Sequence, residues 1–174
     1  MTERQHEDED EDEASSFQFL IDLPVQNQWE NVDLMRTSVQ NCFTAIFHDL
    51  EGCHSFATVA SELMENAIKY GVWKRAGGHL HLKVWGDRHQ AHIQVENPVE
   101  ADTPAVRELM ETIAWLNGFA DPEEAYRARM LAIATSPVGV TKLGLARVAY
   151  EGRCKLAAEV DGNVLRVTGV ASFS

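Results

Sequence analysis

Hydrophobic positions along this chain recur with two periods, and each change of period marks an expected element. Phe17, Phe19, Ile21 and Leu23 alternate with Gln18, Leu20 and Asp22 and stop at Pro24, as a short strand does. From about Asn31 to Leu50, the residues Val32, Leu34, Met35, Val39, Phe43, Ile46, Phe47 and Leu50 fall at helical spacing and predict a first long helix. Gly52-Cys53-His54-Ser55 is expected to break it, with Ser55 capping a second helix. In that helix Phe56, Val59, Ala60, Leu63, Met64, Ala67 and Ile68 recur at intervals of three and four, which makes this stripe the buried side.

Further on, His79 to Trp85 and Gln90 to Val95 flank Gly86-Asp87 and predict a hairpin. Thr103-Pro104 reads as the start of a helix to about Asn117, and Asp121-Pro122-Glu123-Glu124 as the start of another to about Ala134. A helix over Lys142 to Tyr150 then precedes a second hairpin, Cys154 to Val160 and Val164 to Val170 around Asp161-Gly162-Asn163. The order predicts an α/β (α+β) two-layer sandwich, with a mixed, mostly antiparallel sheet and helices on one face.

Composition changes the picture in few places. A length of 174 residues with 45% apolar content suits one domain with a substantial core. Eight acidic residues against Arg4 precede Ser15, so all but −5 of the net charge of −12 belongs to them. Residues 1–15 are therefore expected to be a disordered acidic tail, and 16–174 the folded domain. No basic face for nucleic acid, no long apolar run for a membrane span and no secretory signal are read from the sequence, so the expected location is cytoplasmic.

The three cysteines, Cys42, Cys53 and Cys154, are scattered and read as reduced thiols. Cys42, His48, Cys53 and His54 lack the paired spacing of a zinc site. His79 and His81 fall on one face of the expected hairpin and read as surface histidines on a sheet.

The chemistry concentrates in Glu62-Leu63-Met64-Glu65-Asn66-Ala67-Ile68-Lys69-Tyr70-Gly71. Glu62 and Asn66 are four residues apart, so on a helix a carboxylate and an amide oxygen point into one cleft. Mg²⁺ takes a few hard oxygen ligands and keeps several waters, and a carboxylate one turn away can accept a proton. The plain alternative is an amphipathic helix with a polar flank, closed by Gly71 in a left-handed cap. Downstream, Gly139-Val140-Thr141-Lys142-Leu143-Gly144-Leu145-Ala146-Arg147 opens a helix. Glycines there permit close approach to a phosphate, and the helix start offers free N–H groups. Leu145 and Ala146 occupy the positions where a P-loop requires Lys and Ser or Thr, which excludes a Walker site.

Glu62-x-x-x-Asn66-Ala67-x-Lys69-Tyr70 resembles the N box of the Bergerat-fold ATPase superfamily of gyrase, the heat-shock chaperone and histidine kinases. Leu143-Gly144-Leu145-Ala146-Arg147 is similar to its second glycine box. The resemblance implies a histidine kinase-like ATPase fold that binds ATP and Mg²⁺. In it Asn66 would be the metal ligand, Glu62 the catalytic base, Lys69 a phosphate contact and Tyr70 a residue against adenine. Gly139, Lys142, Gly144 and Leu145 would form the phosphate loop, and the helical insert at about 103–134 would take the place of the ATP lid.

The superfamily's first glycine box, Asp-x-Gly-x-Gly, has no counterpart in Asn97-Pro98-Val99-Glu100-Ala101-Asp102, where Asn97 takes the position of the adenine-reading Asp. Small size places the resemblance nearest to stand-alone anti-sigma-factor serine kinases and SiaB-type regulatory kinases. It implies serine/threonine phosphorylation of a STAS-type antagonist, with a protein partner of that kind or a sigma-factor-like regulator, a possible homodimer, and no nucleic-acid or membrane partner. The alternative is a degenerate, non-catalytic binding module that sequesters a regulatory partner, for which Asn97-Pro98 is the supporting feature.

Overall fold

Alternating apolar positions on five strands build one sheet, and every strand turns its buried residues toward the same helical layer. The computed structural model describes residues 17–25, 32–46, 50–73, 78–87, 89–135 and 143–172. In chain order these form β1 (Phe17–Pro24), α1 (Val32–Ile46), α2 (Leu50–Tyr70), β2 (His79–Gly86), β3 (Gln90–Pro98), α3 (Pro104–Leu116), α4 (Pro122–Thr135), α5 (Gly144–Glu151), β4 (Cys154–Asp161) and β5 (Val164–Ser172). The acidic segment 1–15 lies outside the described residues.

The strands are ordered β1-β2-β3-β5-β4, and all four pairings are antiparallel. The two-layer α+β sandwich is thus present, with a sheet that is antiparallel throughout rather than mixed. Register carries the core across it: Ile21 pairs with Leu82, Leu82 with Val95, Val95 with Val167 and Val167 with Ala158. A one-residue slip of any strand would turn its apolar set to the other face, so burial fixes the register. Phe43 of α1 sits at the junction of layers, in edge-to-face contact with Phe17 and Phe19 of β1 and Phe56 of α2. α1 thereby closes the β1 side of the sheet against α2.

The opposite sheet face is polar. Arg166 of β5 donates from Nε to Glu96 Oε1 at 2.9 Å and from Nη1 to Glu159 Oε1 at 3.2 Å, joining three adjacent strands. Trp85 stacks on His92 across β2 and β3, with Lys83 Nζ 4.8 Å from the Trp85 ring centre. Asp22 of β1 meets His79 Nδ1 at 2.5 Å and His81 Nδ1 at 3.5 Å, so half-buried His79 and exposed His81 share one carboxylate on the sheet surface.

Two local expectations are corrected. Gly52-Cys53-His54-Ser55 does not interrupt the helix, because α2 runs through it from Leu50 to Tyr70. Cys53 is buried and continues the stripe of Phe56, Ala57 and Ala60 one turn upstream, which outweighs the roughly 1 kcal/mol that a helical glycine costs. Ser55 is therefore an internal residue rather than a cap.

Gly71 closes α2 without a left-handed conformation; the positive-φ glycines among the described residues are Gly86 and Gly162. Instead the Gly71 N–H bonds Ala67 O at 2.8 Å, and the Trp73 indole folds back to donate to Ile68 O at 2.8 Å. Gly162 supplies the positive φ, 58°, at the first central position of the two-residue β4–β5 turn.

Capping explains the insert. Thr103 accepts a hydrogen bond from the Val106 N–H ahead of Pro104, and Asp121 Oδ1 accepts from the Glu123 N–H at 2.8 Å. Buried Val106, Ile113 and Leu116 anchor α3, and Asn117 Nδ2 donates to Leu156 O of β4 at 2.9 Å. Among the described residues no helix is long and apolar enough to cross a membrane.

Candidate functional site

Three helices frame one cleft of about 220 Å³: the last turns of α2 contribute Asn66, Lys69 and Tyr70, α3 contributes Ala105, Glu108, Leu109 and Thr112, and α5 contributes Gly144 and Leu145. The helical period places Glu62, Asn66 and Tyr70 in line, each half-buried, while Leu63, Met64 and Ala67 face the sheet. Lys69 is exposed, with its Nζ 5.2 Å from the Tyr70 ring centre. The sequence-predicted residues Asn66, Lys69, Tyr70, Gly144 and Leu145 therefore share one cavity.

Glu62 stands at its edge. Oε1 accepts a hydrogen bond from Arg147 Nη2 of α5, and Oε2 is 3.9 Å from where a Cβ on Gly144 would lie. Among the described residues outside its own helical turn, no other atom comes within 4 Å of that added Cβ, and Gly144 has no positive φ. Neither backbone conformation nor packing against the described residues accounts for glycine here, and the room it leaves adjoins the carboxylate. Leu143, the residue before α5, makes no side-chain capping bond of the kind that Thr103 gives α3. The positive end of the α5 dipole and the Lys69 ammonium favour an anion at this end.

The carboxylates around Glu62 interact. Glu65, exposed on the next turn of α2, has its carboxyl raised above the ordinary value, first by partial desolvation and then by the charges of Glu62 and Asp33, against Arg147 and Arg36. Arg147 also lies 3.8 Å from Glu151, so its guanidinium serves two carboxylates.

Asn97 is placed differently. It is 2% exposed on β3, on the helix-facing side with Ala91, Ile93 and Val95, and is not among the cleft walls. Its Nδ2 donates to Pro98 O at 3.3 Å, the same carbonyl that receives the Val72 N–H at 2.8 Å just beyond α2. Gly139 and Lys142 lie outside the described residues.

The sequence placed the 103–134 insert in the position of the lid but named none of its residues as part of the site. Its cleft residues Ala105, Glu108, Leu109 and Thr112 follow helical spacing, a second stripe beside the buried Val106, Ile113 and Leu116. That double stripe was the available signal. Arg147 stood within the quoted glycine segment, but its partner is 85 positions away and only the fold reveals it.

The residues present fit a magnesium nucleotide in part: an amide oxygen, an ammonium, an aromatic wall and a glycine at a helix start converge, while Asn97, at the position of the adenine-reading acid, is not on the cleft wall. Among the described residues no group of three or more His, Cys, Asp or Glu side chains is suited to hold a metal ion, so a cation here would depend on Asn66 and on its ligand's own oxygens. No protein-family model matches the chain, and no curated protein matches it.

Proposed function

We propose that this protein binds Mg-ATP in the α2–α3–α5 cleft and transfers its terminal phosphoryl group to a serine or threonine hydroxyl of a protein partner, as in a partner-switching pathway. The observation that carries the reading is the convergence of Asn66, Lys69 and Tyr70 with Gly144 at the start of α5, where no described residue outside its own helical turn except Glu62 comes near an added Cβ. The resemblance to small Bergerat-fold serine kinases supplies the chemistry, and a STAS-type antagonist or a sigma-factor-like regulator is the kind of partner it implies.

Each side chain has a separate task. Asn66 would hold the magnesium ion with its amide oxygen, and Tyr70 with Leu109 and Leu145 would receive the base. Lys69 and the first N–H groups of α5 would balance phosphate charge, and Glu62 would accept the proton of the attacking hydroxyl. The magnesium ion supplies charge neutralisation on the phosphate oxygens when bound. A cleft of about 220 Å³ is below the roughly 300–1,000 Å³ of most small-molecule sites, so a whole nucleotide would extend past these walls.

Calorimetric titration with Mg-ATP, followed by radiolabel transfer to a STAS-type partner, tests the reading. Binding by the wild type, weaker binding by Asn66→Ala, and binding without transfer by Glu62→Ala are expected. Retained transfer in the Glu62 variant would remove the assigned base. The buried position of Asn97, off the cleft wall and bonded to its neighbour's carbonyl, favours a second reading: a module that keeps the fold and sequesters a partner without using ATP. Absence of both heat and thermal shift with Mg-ATP would select it.

A further inference from the structure

The ion pair at the edge of the cleft ties together the two groups that the nucleotide reading needs apart. Glu62 is the assigned proton acceptor, yet Arg147 occupies one of its oxygens, and the other borders the space beside Gly144. Gly144 and Arg147 are three apart on α5, so the arginine leaves the helix on the side where phosphate would meet the helix start.

The side chains differ in freedom. Glu62 is 21% exposed and short, whereas Arg147 is 45% exposed on a long stem and already divides itself between Glu62 and Glu151. A guanidinium is planar and weakly hydrated, and it matches phosphate oxygens as well as it matches a carboxylate. Near it lie Glu62, Glu65 and Glu151, with Asp33 and Arg36 of α1 close enough to affect Glu65. Arg147 is therefore a cation with several carboxylate partners, and it can leave one of them without being stranded.

Resting on the nucleotide reading, we propose that Arg147 is a positioning residue: it holds Glu62 while the cleft is empty and exchanges that carboxylate for phosphate oxygens when a nucleotide occupies it. The exchange uncovers Glu62 Oε1 only when a phosphoryl donor is present, which couples the base to occupancy of the site. A permanent structural tie between α2 and α5 is the competing explanation, and the two differ in the sign of a measurable effect.

The test is a cycle of dissociation constants for the magnesium complex of a non-hydrolysable ATP analogue, measured by calorimetry on the wild type, Arg147→Ala, Glu62→Ala and the double variant. Circular dichroism and thermal unfolding verify that each is folded, and Arg147→Lys and Glu62→Gln provide milder substitutions. Arg147→Ala is expected to weaken binding about tenfold or more, the size of a lost charge-assisted hydrogen bond. Glu62→Ala is expected to tighten binding severalfold in the wild-type background and to have less effect without Arg147, because its gain comes from freeing the guanidinium.

Relief of simple repulsion would give the reverse dependence, a larger gain once Arg147 is absent. That result, or unchanged or weaker binding by Glu62→Ala, overturns the exchange while leaving the nucleotide reading in place. No binding by the folded wild type overturns both.

Discussion

Gly152, just past the end of α5, lies so close to α2 that a Cβ on it would collide with Val59 Cγ2. At Gly144, at the other end of the same helix, the one described atom outside its own turn within 4 Å of an added Cβ is Glu62 Oε2. Two glycines eight residues apart thus serve different ends: one lets helices touch, and the other leaves room at the cleft.

Substitution separates them. Gly152→Ala is expected to lower stability by about 1–3 kcal/mol, the range for overpacking, seen as a shifted urea midpoint. Gly144→Ala is expected to leave stability unchanged or raise it by up to about 1 kcal/mol through helix propensity, and to weaken Mg-ATP binding in calorimetry. Equal destabilisation by both would make Gly144 a packing residue.

Arg153 follows with φ 46°, the one non-glycine residue of positive φ among those described. A left-handed L-residue costs roughly 1–2 kcal/mol, and part of the gain on replacement is returned as unfolded-chain entropy. Arg153→Gly should raise stability by up to about 1 kcal/mol, with a correspondingly higher melting temperature. A lower one would show that the Arg153 side chain contributes more than its backbone conformation costs.

At Asp22 the carboxyl is held below its ordinary value, first by the hydrogen bond with His79 and then by the charges of His81 and His79, with desolvation opposing. The folded chain therefore binds this proton less tightly than the unfolded chain. The stabilisation is present above the ordinary value of about 4 and is lost as pH falls through the lowered one. Urea midpoints of wild type and Asp22→Asn should differ near neutrality and converge in acid; a constant gap would assign the loss to the amide itself.

Thiol reactivity should divide the cysteines. Cys42 is exposed, whereas Cys53 and Cys154 are buried, and burial pushes the Cys154 thiol up to about 12. A disulfide reagent near neutral pH should modify one thiol quickly in the native protein and all three after unfolding. Rapid native modification of Cys154 would mean that the α5–β4 junction opens readily.

Most of the fold was legible because two periods do not overlap. Thr103-Pro104 and Asp121-Pro122 marked helix starts through side-chain capping chemistry, and Asp161-Gly162-Asn163 marked a turn that a glycine completes. The start of α2 was misread because Gly52 and Ser55 look like a break in isolation, while the burial of Cys53 that overrides them depends on the sheet.

At the candidate site, the shared face of Glu62 and Asn66 was readable from helical spacing alone, whereas Tyr70 entered through the resemblance. Leu109 and Thr112 were not, since which side of α3 meets α2 depends on how Asn117 and Leu116 dock on the rest of the fold. Asn97 could be placed at a strand end, but whether a strand-end amide reaches a cavity depends on neighbours such as Pro98, which sequence order does not reveal.

Pro98 and Val99 are consecutive, yet they hold different parts of the chain. The Pro98 carbonyl receives Val72 from beyond α2, and the Val99 N–H bonds Asn163 O in the β4–β5 turn at 2.8 Å. This short stretch acts as a clasp between the helix bearing Asn66 and the hairpin at the far margin of the sheet. A proline there also fixes its own backbone torsion, so the clasp is stiff where a glycine-rich loop would be supple. The clasp therefore opposes any widening of the cleft on its α2 side.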